Sequence, residues 1–209
     1  MEHKIIITIG RQFGSGGKAV ARILGNKLGI RVYDYELITE AAQESGFSRE
    51  LFAQSDERKR PFSLSSLLSS ARYGHFSDNC INDSDLFRIQ SETIRRIASE
   101  GSAIFVGRAS DFVLRDLEDC VDVFLTAPME IRRSFVAERE EISPKEAEAL
   151  ILKREKEREA YYNYLTFGNW GVASNYDLCI DTSILGYEGT ADLIIDFIRK
   201  KEALNNDEA

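Results

Sequence analysis

Lys4-Ile5-Ile6-Ile7-Thr8-Ile9-Gly10-Arg11-Gln12-Phe13-Gly14-Ser15-Gly16-Gly17-Lys18 opens the chain as a short β-branched run that breaks into a glycine-rich turn. The run from Lys4 to Ile9 has the pattern of a strand buried on both faces of a parallel sheet. Val20, Ile23, Leu24 and Leu28 then recur at helical spacing. Four glycines between a strand and a helix let the backbone turn tightly and bring successive N–H groups onto an anion at the helix N-terminus. Phosphate is the simplest such anion; the plainer alternative is a tight turn that binds nothing.

Two registers relate this stretch to the phosphate-binding pattern G-x-x-x-x-G-K-[ST]. If Gly17-Lys18 is the Gly-Lys pair, the first glycine falls at Gln12 and the hydroxyl position holds Ala19. If Gly14-Ser15-Gly16 is the glycine stretch, Gly17 stands at the lysine position and Lys18 at the hydroxyl position. Neither register leaves a hydroxyl where the standard loop holds magnesium.

Outward from this loop, similar apolar runs recur at Arg31-Val32-Tyr33, Ala103 to Val106, Val121 to Leu125 and Leu178-Cys179-Ile180, each followed by helix-like sequence. Strands alternating with helices predict a five-stranded parallel α/β sheet with right-handed crossovers and a ligand crevice beyond the strands' carboxyl ends. Ser48 to Asp85 breaks the rhythm: it is charged from Asp56 to Arg60 and Ser-rich from Ser63 to Ser70, and reads as a partly helical insertion over the sheet edge. Helical spacing resumes at Leu86, Ile89, Thr93, Ile94 and Ile97. Ser143-Pro144-Lys145-Glu146 carries the signature of a capping box with Pro in the first turn. Residues after Ala203 are expected to fray.

A chain of 209 residues, 43% hydrophobic, suffices for one substantial core, so a single domain over 1–209 is expected. The net charge of -8 argues against a nucleic-acid partner, though not against a small anion in a local pocket. Cys80, Cys120 and Cys179 are odd in number and lack C-x-x-C spacing, which points to neither disulfides nor structural zinc. With no apolar run of membrane-spanning length, a soluble, cytoplasmic protein is expected. His75 lies in the insertion with only His3 as a second histidine, which supports neither a metal site nor a general base.

The loop Gly10 to Gly17, Tyr33-Asp34, Val106-Gly107-Arg108, Tyr161-Tyr162, Thr166, Trp170-Gly171 and Asn175-Tyr176-Asp177-Leu178 together resemble the cytidylate kinase-like group of P-loop proteins, over nearly the whole chain. The resemblance implies a P-loop kinase fold with an acceptor-side insertion (48–85) and a helical lid (143–174). It also implies phosphoryl transfer from ATP, with Mg2+, to a nucleoside monophosphate such as CMP or dCMP. Departures from the pattern are specific. Asp34-Tyr35-Glu36-Leu37-Ile38 stands where cytidylate kinases carry Asp-Ser-Gly and then Tyr-Arg, and Val106 stands where they carry Asp. The acceptor phosphate loses a usual partner, and a carboxylate near the metal is missing.

The expected cofactor-binding residues are Gly10, Arg11, Gly14, Ser15, Gly16, Gly17 and Lys18. Arg108, at a strand's carboxyl end, either pairs with phosphate or a base edge on the acceptor side or makes a structural ion pair. Asp34 orients a magnesium-bound water or caps a helix. Ala147, Leu150, Ile151, Arg154 and Arg158 form one helical stripe that begins apolar and ends in arginines, which either clamp phosphate or pair with Glu155 and its neighbours. Arg132 and Arg139, seven apart, share a face that joins the lid, whereas Arg133 is expected in solvent. Lys18, Arg108, Arg154 and Arg158 make the catalytic set; Asp34, Arg108, Arg132 and Arg139 make the substrate-binding set. No metal ligand is assigned, Ser15 and Asp34 being the candidates. Trp170, Phe167 and Tyr161 either stack on a base or form an aromatic cluster that pins the lid. The leading function is a nucleotide kinase, and the alternative is a non-catalytic nucleotide-binding regulator that kept the cradle and lost the metal ligands.

Overall fold

The computed structural model describes residues 4–44 and 83–207. Five strands, β1 (Ile6–Arg11), β2 (Arg31–Tyr33), β3 (Ala103–Val106), β4 (Cys120–Thr126) and β5 (Leu178–Asp181), form one sheet in the order β2-β3-β1-β4-β5, every neighbouring pair parallel. The first strand is displaced toward the loop relative to the expected run, because β4 is long enough to carry the ladder to the pair Arg11↔Leu125. Arg11 is therefore the last residue of a central strand, with Gln12 N donating to Leu125 O just beyond it (2.9 Å).

Helices cover both faces. On one side α1 (Gly17–Leu28) buries Val20, Ala21 and Leu24 against Ile7, Ile9 and Val123, together with Ile194 and Ile198 of the C-terminal helix. On the other side α2 (Tyr35–Glu44), α3 (Asp83–Glu100) and α4 (Ser110–Val113) bring Ile38, Ile94, Ile97 and Val113 onto Ile6 and Phe105. The 48–85 insertion lies outside the described residues except for the first turn of α3, as do His75 and Cys80. Gly186 (φ 65, ψ 179) breaks the C-terminal helix α7 (Thr182–Asp207) near its start. Fraying after Ala203 is corrected: α7 continues to Asp207, since no Pro or Gly stands there to stop it. No helix among the described residues is long and apolar enough to cross a membrane.

The remaining helices, α5 (Met129–Glu140) and α6 (Pro144–Thr166), form a hairpin against the glycine-rich loop. Val136, Ala147 and Ile151 are its buried centre, and Phe13 from the loop packs on them. The capping box forms as expected: Glu146 N donates to Ser143 Oγ (3.3 Å), while Ser143 N donates to Glu146 Oε2 (3.0 Å). Ser143→Ala should therefore cost about 1 kcal/mol in urea unfolding. A change below a few tenths would mean that Pro144 alone sets the helix start.

Candidate active site

The carboxyl ends of β1 and β3 face the crevice of an open parallel sheet, and the glycine-rich loop leads from β1 into α1. Gly14 (φ 87) and Gly16 (φ 80) adopt the left-handed backbone that the turn requires, and Gly16 is the cap of α1. The loop is tied down from three sides. Gln12 Oε1 accepts from Ala127 N (3.2 Å), Arg132 Nη1 donates to Phe13 O (3.3 Å), and Thr182 Oγ1 donates to Ser15 O (2.9 Å).

Three guanidinium groups gather at this end of the sheet. Arg11 runs from the end of β1 past Gly17 toward Gly107: a Cβ built on Gly17 would lie 2.8 Å from Arg11 Cγ, and one on Gly107 would lie 1.9 Å from Arg11 Nη1. Burial first, then the charges of Arg158 and Arg108, pull its pKa down to about 9, so it stays charged at neutral pH. Arg158, on α6, donates from Nη1 to Arg11 O (2.9 Å) and stands 5.2 Å from the centre of the Phe13 ring. Burial lowers it to about 10. Arg108 lies 3.9 Å from the Tyr161 ring centre and 5.0 Å from that of Tyr35, and donates from Nε to Gln90 Oε1 (2.9 Å). Among the described residues, none of the three has a carboxylate within ion-pair distance. Asp34 acts on Arg11, and Glu155 and Glu157 on Arg158, only at longer range. Clustered charges of one sign without an ion-pair partner make the crevice the candidate site for phosphate or a similar anion.

The backbone around Arg108 is also unusual. Gly107 (φ 76), Arg108 (φ 63) and Ala109 (φ 52) are left-handed in succession, and for the two non-glycines this costs on the order of 1–2 kcal/mol each. Strain retained at a strand's carboxyl end fits a side chain held in place for a ligand. Gln90 is fully buried, its Nε2 has no partner among the described residues, and it extends the inward stripe of α3 beside Ile89 and Ile94. Sequence reading missed both Gln90 and Tyr35. The available signals were a polar residue on an apolar helical face and an aromatic residue directly after Asp34.

Several expected residues have other employment. Of the two roles weighed for Asp34, the structure shows the cap: Oδ1 accepts from Glu36 N (3.1 Å) and Leu37 N (3.3 Å), while Oδ2 pairs with Lys18 Nζ (2.8 Å), a partner the sequence did not suggest. Lys18 is largely exposed and leans to β2's end rather than into the loop. Arg132 is corrected from the substrate side: only 5% exposed, it pairs with Glu155 (2.6 Å) and donates to Ala127 O (2.8 Å) and Phe13 O. Arg139 turns to Glu140 and the Phe13 and Phe135 rings, Arg133 pairs with Glu148, and Arg154 pairs with Glu157 one turn along α6. Gly10 is not part of the cradle. A Cβ there would strike Phe124 Cδ2 at 2.7 Å, so its role is to let Phe124 and Tyr176 pack on the sheet. The aromatic trio does not assemble: Trp170 packs edge-on against Phe124, Tyr161 lies against Arg108, and Phe167 is 95% exposed.

Magnesium meets an equally altered loop. Lys18 or Ala19 stands where a hydroxyl is needed, Ser15 is buried with its hydroxyl turned to Gln12 O (3.0 Å), and Asp34 is paired with Lys18. These residues do not fit a protein-held ion at the loop.

Three residues after Arg108 in the chain, Asp111 adds a buried carboxyl that sequence reading passed over. Burial, opposed by a hydrogen bond from Tyr162 OH (2.7 Å), raises its pKa from 3.8 to about 6. The folded state then holds a proton that the unfolded chain releases between these values. The associated stability is full below about 4 and gone above about 6, a span of roughly 3 kcal/mol. Asp111→Asn cannot titrate, so its stability relative to the parent should improve by up to that amount from pH 4 to 7. A difference that does not change with pH would mean an unperturbed carboxyl.

The family profile described as cytidylate kinase-like matches residues 6–184. The chain belongs to the cytidylate kinase-like family. Within and around this family, cytidylate kinase from Methanopyrus kandleri is 32% identical over 188 residues, covering 86% of this chain and 85% of that protein. Cytidylate kinase from Methanocaldococcus jannaschii is 25% identical over 202 residues, 94% of this chain and 100% of that one. An uncharacterized protein from Eubacterium ventriosum aligns with a TM-score of 0.73 and 28% identity, covering 95% of this chain and 99% of that one. Shikimate kinase from Bacteroides thetaiotaomicron (TM-score 0.55, 9% identity, 94% and 99% covered) shares the fold. The cytidylate kinase-like family and this P-loop kinase fold support nucleotide kinase activity.

Proposed function

We propose that this cytidylate kinase-like protein transfers the terminal phosphoryl group of ATP to a nucleoside monophosphate, with CMP and dCMP as the first acceptors to test. The observation that carries this reading is the cluster of Arg11, Arg108 and Arg158 beside the loop, charged and without carboxylate partners among the described residues. Phosphoryl transfer needs positioned phosphates and neutralised charge more than a covalent nucleophile, and such a cluster supplies both. The loop and Arg11 take the donor side, while Arg108, braced by Tyr35, Tyr161 and Gln90, takes the acceptor side. Helix α6, whose Arg158 reaches back to the residue at the end of β1, serves as the lid within 143–174. The relatives named cytidylate kinase favour a cytosine nucleotide as acceptor.

One observation favours a second reading, a nucleotide-binding regulator without turnover: in neither register does the loop carry a hydroxyl at its standard place. Incubation with ATP, magnesium and a panel of nucleoside monophosphates, followed by NMR, separates the two. Diphosphate product from CMP or dCMP is the expected result. ATP binding with no product from any acceptor would establish the regulator, and no nucleotide binding at all would overturn both.

A further inference from the structure

We infer that the loop's cation and its first glycine have exchanged places: Arg11, at the position of the standard loop's first glycine, supplies the cation for the donor phosphates, and Gly17, at the lysine position, makes room for it. This inference rests on the reading of the loop as a nucleoside triphosphate site.

The structure first selects the register. Helix α1 begins at Gly17 and is capped by the left-handed Gly16, so Gly16 is the loop's closing glycine and Gly17 holds the lysine position. The opening glycine of G-x-x-x-x-G-K then falls on Arg11. The competing register would open at Gln12, whose side chain is instead tied to Ala127 N.

Space links the two substitutions. A Cβ at Gly17 would sit 2.8 Å from Arg11 Cγ and 3.0 Å from its Cβ, so a side chain at 17 and the arginine at 11 exclude each other. The stem of Arg11 passes through the room from which a lysine at 17 would start. At its far end Nη1 fills the space above Gly107, where a Cβ would come within 1.9 Å. A planar guanidinium offers several donors in a fixed fork, well matched to phosphate oxygens. Lys18, the neighbouring cation, is spent on Asp34 (2.8 Å).

Calorimetric titration of the full chain with ATP and magnesium tests the exchange. Arg11→Met, which keeps the stem and loses the charge, should weaken ATP binding roughly ten- to a hundredfold with normal melting, whereas Lys18→Ala should change it less than about threefold. Gly17→Lys alone should lose binding or stability through its collision with Arg11. The double variant Arg11→Gly/Gly17→Lys, which restores G-x-x-x-x-G-K, should return affinity to within about tenfold of the parent. If Arg11→Met fails to fold, the double variant decides: restored binding supports the exchange and absent binding overturns it. Parental affinity in Arg11→Met together with loss in Lys18→Ala also overturns it, leaving the nucleotide site intact. Failure of the unmodified protein to bind ATP is the distinct result that overturns the nucleotide reading and this inference with it.

Discussion

Arg132→Ala is expected to lower unfolding free energy by about 3–5 kcal/mol, the effect of breaking a buried ion pair from one side. Its side chain is 6% exposed and that of Glu155 18%, so water compensates little for the lost contact. Truncation leaves the carboxylate without its cation and removes donors from Ala127 O and Phe13 O. The same contacts join α5, α6 and the glycine-rich loop, so the hairpin should loosen before the sheet does. Replacing both partners with apolar residues, Arg132→Met with Glu155→Leu, should recover most of the loss, because no charge then stays buried alone. Urea unfolding measures each variant. Stability unchanged in Arg132→Ala, with turnover reduced a hundredfold, would return Arg132 to the substrate-binding set.

Arg108→Ala should reduce turnover by one to two orders of magnitude while sparing ATP binding. Loss of a charge-assisted contact to the acceptor phosphate is worth about 1.5–3 kcal/mol, which corresponds to that range of rate. The side chain is held for this role: two tyrosine rings flank it and Gln90 fixes Nε, which leaves its terminal nitrogens for a ligand. Arg108→Lys should rescue only in part, since an ammonium restores charge without the planar fork. Steady-state kinetics with separate ATP titration gives the answer. Abolished ATP binding in a folded variant would move Arg108 to the donor side. A lowered melting temperature with unchanged activity per folded molecule would make it a purely structural residue, braced by its tyrosines.

Much of the architecture was legible in the chain because its signals are local. The apolar runs at Arg31–Tyr33 and Ala103–Val106 became strands with the expected limits. Ser143 and Glu146, three residues apart, cap α6 whatever lies around them, because both partners of each bond are supplied by one turn of backbone. The strand, glycine loop and helix at the start of the chain likewise imply a phosphate-type turn from spacing alone.

What each charged side chain does was not legible, because long flexible side chains choose partners that folding brings from distant segments. Arg132 and Arg158 read alike as candidates, yet one meets Glu155 in a buried pair while the other reaches the carbonyl of Arg11, 147 residues earlier. Lys18 reads as the loop's cation until β2 presents Asp34 to it. Gly10 reads as cradle until β4 brings Phe124 against it. The sequence by itself determined a parallel sheet with a glycine loop at the end of its first strand, through periodicity and capping that act within a few residues. Only the tertiary structure decided which arginines make no ion pair, because burial and ion pairing depend on which strand ends and helices meet.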